Sequence, residues 1–271
     1  MVDSRSARRI PRSLFLSVLA LLALLPALAA VPAHAATLDW WHPTRGLTWQ
    51  WQLSGALDLT VNAQVYDLDA VGTSAATVAA LHQAGRRAVC YVDVGSYEKY
   101  RSDASRFPAS VLGKVMDGWP DERWLDIRRF DVLGPILADR FAVCRQKGFD
   151  GIEADNVDGY DNSTGFPLTA TNQLTFNRQI ADLAHSVGLA IGLKNDLDQV
   201  TALAPKFDFA VNEECVRYAE CGVLKAFTSA NKPVFHAEYA GTIATICAKT
   251  AALGLSSIRK RLALDAWRQS C

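Results

Sequence analysis

Gly148-Phe149-Asp150-Gly151-Ile152-Glu153-Ala154-Asp155-Asn156 is the stretch on which the fold turns. It opens on a glycine that stops the helical pattern of Val132 to Lys147. Within a few residues it enters a short apolar run, Gly151 to Asp155, that ends on acid. A helix closed by glycine and followed at once by a β-rich run is an αβ turn. The same punctuation recurs on both sides. A helix expected from Thr73 to Ala84, opened by Thr/Ser cap residues, stops at Gly85 ahead of a strand from Ala88 to Val94. Another, from Thr169 to Val187, stops at Gly188 ahead of Ala190 to Lys194, and a shorter helix from Leu197 to Leu203 precedes Pro205. Further out, Thr48 to Leu53, Ala63 to Tyr66, Phe209 to Asn212, Val234 to Glu238 and Ser256 to Arg259 read as strands. Eight strands alternating with helices predict an α/β chain folded as a single (β/α)8 (TIM) barrel. An open doubly wound sheet is the alternative, but no Gly-rich phosphate fingerprint follows the first strand. Ser96 to Arg129 holds Pro108, Pro120, Gly113 and Gly118 with little periodicity. It is too long for an ordinary connection and is expected to be a functional βα loop plus the start of the third helix.

The 271 residues do not all belong to the barrel. Arg5, Arg8, Arg9 and Arg12 precede an apolar run from Leu14 to Ala30 and then Ala33-His34-Ala35. A basic region, an apolar region and an A-x-A end make a secretory signal peptide. Residues 1–36 are expected to be removed on export, leaving 37–271 as the barrel domain, secreted and extracellular. Losing those arginines and Asp3 leaves a net charge of about −3. No basic run remains for a nucleic acid, and no second apolar run is long enough to cross a membrane. All six cysteines, Cys90, Cys144, Cys215, Cys221, Cys247 and Cys271, lie after the signal. An even count in an exported chain reads as disulfides, with fifteen connectivities open. No CxxC and no His–Cys pair at ligand spacing occurs, so no metal and no cofactor is expected. GxSxG, HExxH and P-loop motifs are also missing, which argues against serine hydrolase, zinc protease and nucleotide chemistry.

Catalytic residues of such a barrel sit at the C-terminal ends of its strands. Those ends are unusually acidic: Asp67 and Asp69, Asp93 and Glu98, Glu153 and Asp155, Lys194-Asn195-Asp196, Asn212-Glu213-Glu214, and His236-Ala237-Glu238-Tyr239. Glu153 and Asp155 are two apart and share a face, with Asp155 nearer the mouth and Lys194 on the next strand as counter-charge. Two opposed carboxylates are the minimum kit for cleaving a glycosidic bond. Asp155 and Glu213 flank the fifth strand and form the candidate catalytic pair; either could instead be a loop-organising or ion-paired residue. Trp40, Trp41, Trp49, Trp51, Tyr91, Tyr97, Tyr160 and Tyr239 lie near strand ends, where aromatic faces can line a saccharide groove or simply pack the core.

The runs Tyr91-Val92-Asp93-Val94-Gly95-Ser96-Tyr97-Glu98, Gly148 to Asp158, Gly192-Leu193-Lys194-Asn195-Asp196, Asn212-Glu213-Glu214-Cys215 and Val234 to Tyr239 resemble glycoside hydrolase family 114, in that family's order and from about Trp40 to Cys271. The resemblance implies endo-α-1,4-polygalactosaminidase activity on an amino-sugar polysaccharide, with Asp155 as nucleophile and Glu213 as acid/base in a retaining mechanism. Glu214 stays open as an alternative to Glu213. Asp67, Asp93, Tyr97, Glu153, Asp158, Lys194, Asn195, Glu238 and Tyr239 are the expected substrate-binding residues. The acidic ones among them would attract the cationic amino sugar. Disulfides are expected at Cys90–Cys144, tying the third strand to the third helix, at Cys215–Cys221, by proximity, and at Cys247–Cys271, at the chain end. A monomer is expected. Two other functions stand beside this one: a secreted carbohydrate-binding barrel without turnover, and a hydrolase of another α-linked glycan.

Overall fold

The computed structural model describes residues 39–271, and the expected signal peptide lies outside the described residues. Eight parallel strands form the barrel wall. In chain order they are β1 (Trp49–Gln52), β2 (Val65–Asp69), β3 (Arg87–Asp93), β7 (Gly151–Asp155), β8 (Ala190–Lys194), β9 (Phe209–Glu213), β10 (Val234–Glu238) and β11 (Ser256–Arg259). The numbers missing from that series belong to an excursion after β3, made of β4 (Ser96–Glu98), β5 (Leu112–Met116) and β6 (Trp119–Leu125). A last short strand, β12 (Gln269–Ser270), runs antiparallel to β11. The fold is a (β/α)8 barrel with a sheet order of β1-β2-β3-β7-β8-β9-β10-β11-β12.

Period-two alternation along these strands sorts their side chains into two cores. Trp49, Trp51, Val65, Val89, Ala190, Phe209, Val211, Phe235, Ala237 and Ile258 form one buried cluster inside the barrel. Their neighbours, such as Leu68, Cys90, Ile152 and Leu193, pack outward against Phe141, Phe176 and Phe207. The inner core is crowded. A Cβ on Gly192 would stand 2.2 Å from the Phe209 ring, so only glycine leaves room for that ring. Trp49 and Trp51 are each 1% exposed and fill this interior, so they belong to the core and not to a sugar-binding groove.

The helices are α1 (Ala75–Gln83), α2 (Phe130–Lys147), α3 (Ala170–Ser186), α4 (Val200–Leu203), α5 (Lys225–Thr228) and α6 (Ile243–Thr250). Ser74 caps α1 by accepting from the Thr77 amide, and Thr169 and Asn172 close a reciprocal capping box on α3. Gly148 ends α2 in the left-handed conformation at φ +89°, the backbone state that made it readable as a stop. Among the described residues no helix follows β1, and none follows β11. There the segment 260–271 fills the seam between the last and first strands. Trp49 Nε1 donates to the Ser256 carbonyl at 2.8 Å, Gln50 Nε2 to the Ala266 carbonyl at 2.8 Å, and the Leu53 amide to the Leu264 carbonyl at 3.0 Å.

The stretch from Ser96 to Arg129, expected to be a functional βα loop plus the start of the third helix, instead contains a three-stranded antiparallel sheet in the order β4-β6-β5, and α2 starts only at Phe130. Its register shifts between Leu112, Val115 and Met116, and these bulges erase the alternation that would have betrayed it. The Leu125 amide donates to the Gly95 carbonyl at 3.0 Å, so the excursion closes on its own stem. Arg140 on α2 clamps it, reaching Asp103 at 2.7 Å and the Asp93 carbonyl at 2.8 Å. Three disulfides, Cys90–Cys144, Cys215–Cys221 and Cys247–Cys271, staple β3 to α2, the loop after β9, and α6 to the seam segment.

Candidate active site

The centre of the mouth is an ammonium group. Lys194 ends β8, is 4% exposed, and holds its Nζ over the Trp51 ring at 4.8 Å. That nitrogen lies 3.0 Å from Glu153 Oε1, 3.1 Å from Asp155 Oδ1 and 3.3 Å from Glu213 Oε2. Burial alone would lower the lysine pKa, but Asp155, Glu153 and Glu213 outweigh it and hold the group charged well above its ordinary value. Because Asp155 and Glu213 touch one nitrogen, their nearest oxygens are at most about 6.4 Å apart, the two contacts laid end to end.

Asp155 ends β7, with its side chain 19% exposed. Its Oδ2 accepts from the Tyr91 hydroxyl at 2.7 Å, and its Oδ1 accepts from Lys194 and from the Asn156 amide at 2.9 Å. Burial pushes its pKa up, yet Lys194 and these hydrogen bonds more than compensate and hold the carboxyl below its ordinary value. Parallel pairing of β3 with β7 sets Tyr91 opposite Glu153 and Asp93 opposite Asp155, which is how the tyrosine reaches the site. Asn156 turns the chain at φ +60° and donates its side-chain amide to Asp93 Oδ2 at 2.7 Å.

Glu213 ends β9, with 27% of its side chain exposed. Tyr239, at the end of β10, donates its hydroxyl to Oε1, and Asn195 Nδ2 lies 3.3 Å from Oε2. Asn195 also accepts from the Glu213 amide at 2.9 Å, so it fixes both ends of the residue. The strand stops there. Glu214 is left-handed at φ +59° and turns to Arg217 at 2.7 Å, while Glu213 faces Lys194.

Four of the expected substrate-binding acids have no surface to offer. Asp67 and Asp93 are 1% exposed, Glu238 is 2% and Glu153 is 0%. Glu238 is displaced by strand parity: Phe235 and Ala237 point into the barrel, so His236 and Glu238 point out of it. Its Oε1 accepts from the Val216 amide at 2.8 Å and pairs with His236 Nε2 at 2.9 Å, holding the disulfide loop after Glu213. Asp93 accepts from the Ser96 amide at 2.7 Å and from Asn156, organising the stem of the excursion. Tyr97 packs edge-on against Phe107, on the far side of β4 from Asp93. Cys215, Cys221 and His236 lie close together, but both sulfurs are in a disulfide and cannot act as thiolate ligands.

Asp158 does lie beside the pair, half-buried, its pKa raised to about 6 by burial and by the charge of Asp155. Sequence reading placed its neighbour Asp196 at an acidic strand end but left it out of the expected site residues. This residue is 4% exposed, accepts from Asn177 Nδ2 at 2.8 Å, and has a pKa raised to about 7 by burial and by Asp158. Between about pH 4 and about pH 7 the folded state therefore holds a proton that the unfolded chain has released, so stability falls as pH rises through that window. Asp196→Asn removes the penalty. Its thermal midpoint should match wild type at pH 4 and exceed it at pH 8, by on the order of 1–3 kcal/mol in stability. An equal difference at both pH values would refute this reading.

An eight-stranded barrel whose mouth holds two partly exposed carboxylates, opposed across one buried lysine, is the architecture of a glycoside hydrolase. The profile of glycoside-hydrolase family GH114 matches residues 30–271, and the chain belongs to that family of glycosidases. Among solved structures it is similar to Aspergillus fumigatus Ega3 in complex with galactosamine. The two share 36% identity at a TM-score of 0.81, over 86% of this chain and 98% of that one. The glycoside hydrolase domain of PelA from Pseudomonas aeruginosa shares the fold at 16% identity and a TM-score of 0.66, over 82% of this chain and 98% of that one. No curated protein sequence matches significantly.

Proposed function

We propose that the protein is an exported hydrolase of α-1,4-linked galactosamine polymer, with Asp155 as nucleophile and Glu213 as acid/base in a retaining double displacement. The observation that carries this is the shared lysine. It keeps the nearest oxygens of the two carboxyls within about 6.4 Å, a bound that accommodates the roughly 5 Å spacing of a retaining pair. Asp155, held ionised, forms a bond to the anomeric carbon as the glycosidic C–O bond breaks, and Glu213 gives its proton to the departing oxygen. Ester formation removes the negative charge from Asp155. The ammonium of Lys194 then rests against the newly ionised Glu213, the form that takes a proton from water in the second step. Water oxygen bonds to the anomeric carbon, Asp155 leaves as carboxylate, and Glu213 is reprotonated.

Glu213 is preferred to Glu214 because it alone of the two touches Lys194 and Tyr239. Above about pH 6 Asp158 supplies negative charge on one side of the pair, which suits a cationic amino sugar. Three disulfides suit an exported chain, and no described helix is long and apolar enough to cross a membrane. Reducing-end release should be measured on α-1,4-galactosaminan of graded acetylation, with proton NMR of the first-formed anomer. Release of the α anomer, slowing as salt rises, is the expected result. Binding without release would leave a non-catalytic lectin, and the β anomer would mean inversion.

A further inference from the structure

Beneath Lys194 the barrel holds a second pair of carboxyls that the reaction does not consume. Asp67 points inward from β2 and Glu153 from β7, and neither is more than 1% exposed. The two acids lie close enough for each to shift the titration of the other. Glu153 Oε1 takes one hydrogen bond from Lys194, at 3.0 Å. Glu153 Oε2 and both oxygens of Asp67 receive no donor from any peptide or side chain. A fully buried carboxylate without a donor is among the most costly groups a protein can hold. A single lysine already faces the carboxyls of Glu153, Asp155 and Glu213 and cannot also balance a charge on Asp67. The remaining titratable groups around the pair are phenols, Tyr91 from β3 and Tyr239 from β10, and β1 contributes the uncharged Trp51.

We infer that Asp67 is a permanently protonated carboxylic acid whose hydrogen is donated to Glu153, and that this neutral-to-ionised carboxyl pair is the positioning element that seats Lys194 between Asp155 and Glu213. One proton satisfies the contact between the acids. It leaves Glu153 as a single negative charge whose free direction points up at the ammonium. The same burial and the nearness of Glu153 push the Asp67 pKa well above the ordinary carboxylate value. Without that hydrogen Glu153 would carry an orphaned oxygen and compete for Lys194, drawing it down and away from the mouth. The inference rests on reading Asp155 and Glu213 as the reacting pair.

Two measurements test it. The first is infrared spectroscopy of the intact protein at pH 8, where a protonated carboxyl C=O stretch should persist and one component should vanish in Asp67→Asn. This readout does not depend on turnover, so it stands even if the assigned reaction fails. The second compares variants on substrate. Asp67→Ala should lower kcat by about 10- to 100-fold through misplacement of Lys194, with KM changing far less and the pH profile shifting. Asp67→Asn, an amide that donates as the neutral acid does, should restore most of that kcat and the wild-type profile. If no carboxyl band is lost in Asp67→Asn, or if Asp67→Asn is as impaired as a folded Asp67→Ala, the acid is ionised and the inference falls. Should Asp67→Ala not fold, the infrared result and the kcat of Asp67→Asn against wild type decide alone. A failure confined to the reaction assignment would show as unimpaired hydrolysis in Asp155→Asn, with the infrared result unchanged.

Discussion

Asp155→Asn is expected to lower kcat/KM on α-1,4-galactosaminan by about four orders of magnitude, the scale seen when an enzyme loses its nucleophile. The amide keeps the size of the side chain, its oxygen can still accept from Lys194, and its NH2 can donate to the Tyr91 hydroxyl oxygen, so the melting temperature should move little by comparison. Glu213→Gln should fail differently. With a galactosaminide whose leaving group needs no protonation, the first bond to Asp155 still forms, but nothing activates the water that must release it. A glycosyl adduct on the peptide containing Asp155 should then accumulate and be visible by mass spectrometry. Full turnover by either variant on polymer would remove that residue from the chemistry. An adduct mapped to any other carboxylate would reassign the nucleophile.

The second large effect is on Lys194. Replacing it by methionine takes away the one cation that touches Glu153, Asp155 and Glu213 and leaves buried negative charge uncompensated. Breaking such a pair on one side costs about 3–5 kcal/mol. The pH dependence should invert as well. In wild type the depressed pKa of Asp155 contributes stability that is full above the ordinary aspartate value and is lost as pH falls through the folded pKa. The raised pKa of Lys194 contributes stability that is full below the ordinary lysine value and is lost only as pH rises through its folded pKa. Near neutrality both contributions are therefore present. In Lys194→Met the carboxyls prefer to be protonated, so chemical denaturation should show the variant recovering stability as pH falls toward 5. Wild type should recover only the smaller amount that Asp158 and Asp196 contribute in that window. A variant uniformly destabilised from pH 5 to pH 8 would mean that the lysine acts by packing and not by charge.

Much of the fold was legible because it was written in local signals. Gly85, Gly148 and Gly188 end helices directly ahead of strands, and the alternation they mark led to eight strands and a barrel. The two-residue spacing of Glu153 and Asp155 put both inside, where Lys194 meets them. The excursion stayed hidden because its bulges break the two-residue period and Asp121-Glu122-Arg123 look like a solvated turn. The missing helices after β1 and β11 were hidden for another reason: the seam is closed by side-chain and loop contacts from residues more than 200 positions away, which no window along the sequence can see. At the site, acidity at strand ends was a sound signal with poor resolution. Parity could have sent Glu238 outward, since it is one residue from the inward Ala237 and Tyr239. Nothing local could separate an acid at the mouth from one sealed beneath it, because Asp93 is covered by Ser96 from β4 and by Asn156 from the loop after β7. Asp196 was passed over because it becomes interesting only through Asn177 on α3 and Asp158 on another loop.

The stem of the excursion has a bearing on how enzymes of this kind diversify. The chain leaves the barrel at Gly95 and comes back at Leu125, and one peptide hydrogen bond joins those two points. Whatever lies between them can lengthen, shorten or be exchanged as a cassette while the exit and the return stay where they are. The wall beside the reacting acids can thus follow a changing polysaccharide over generations, with the chemistry beneath it inherited intact.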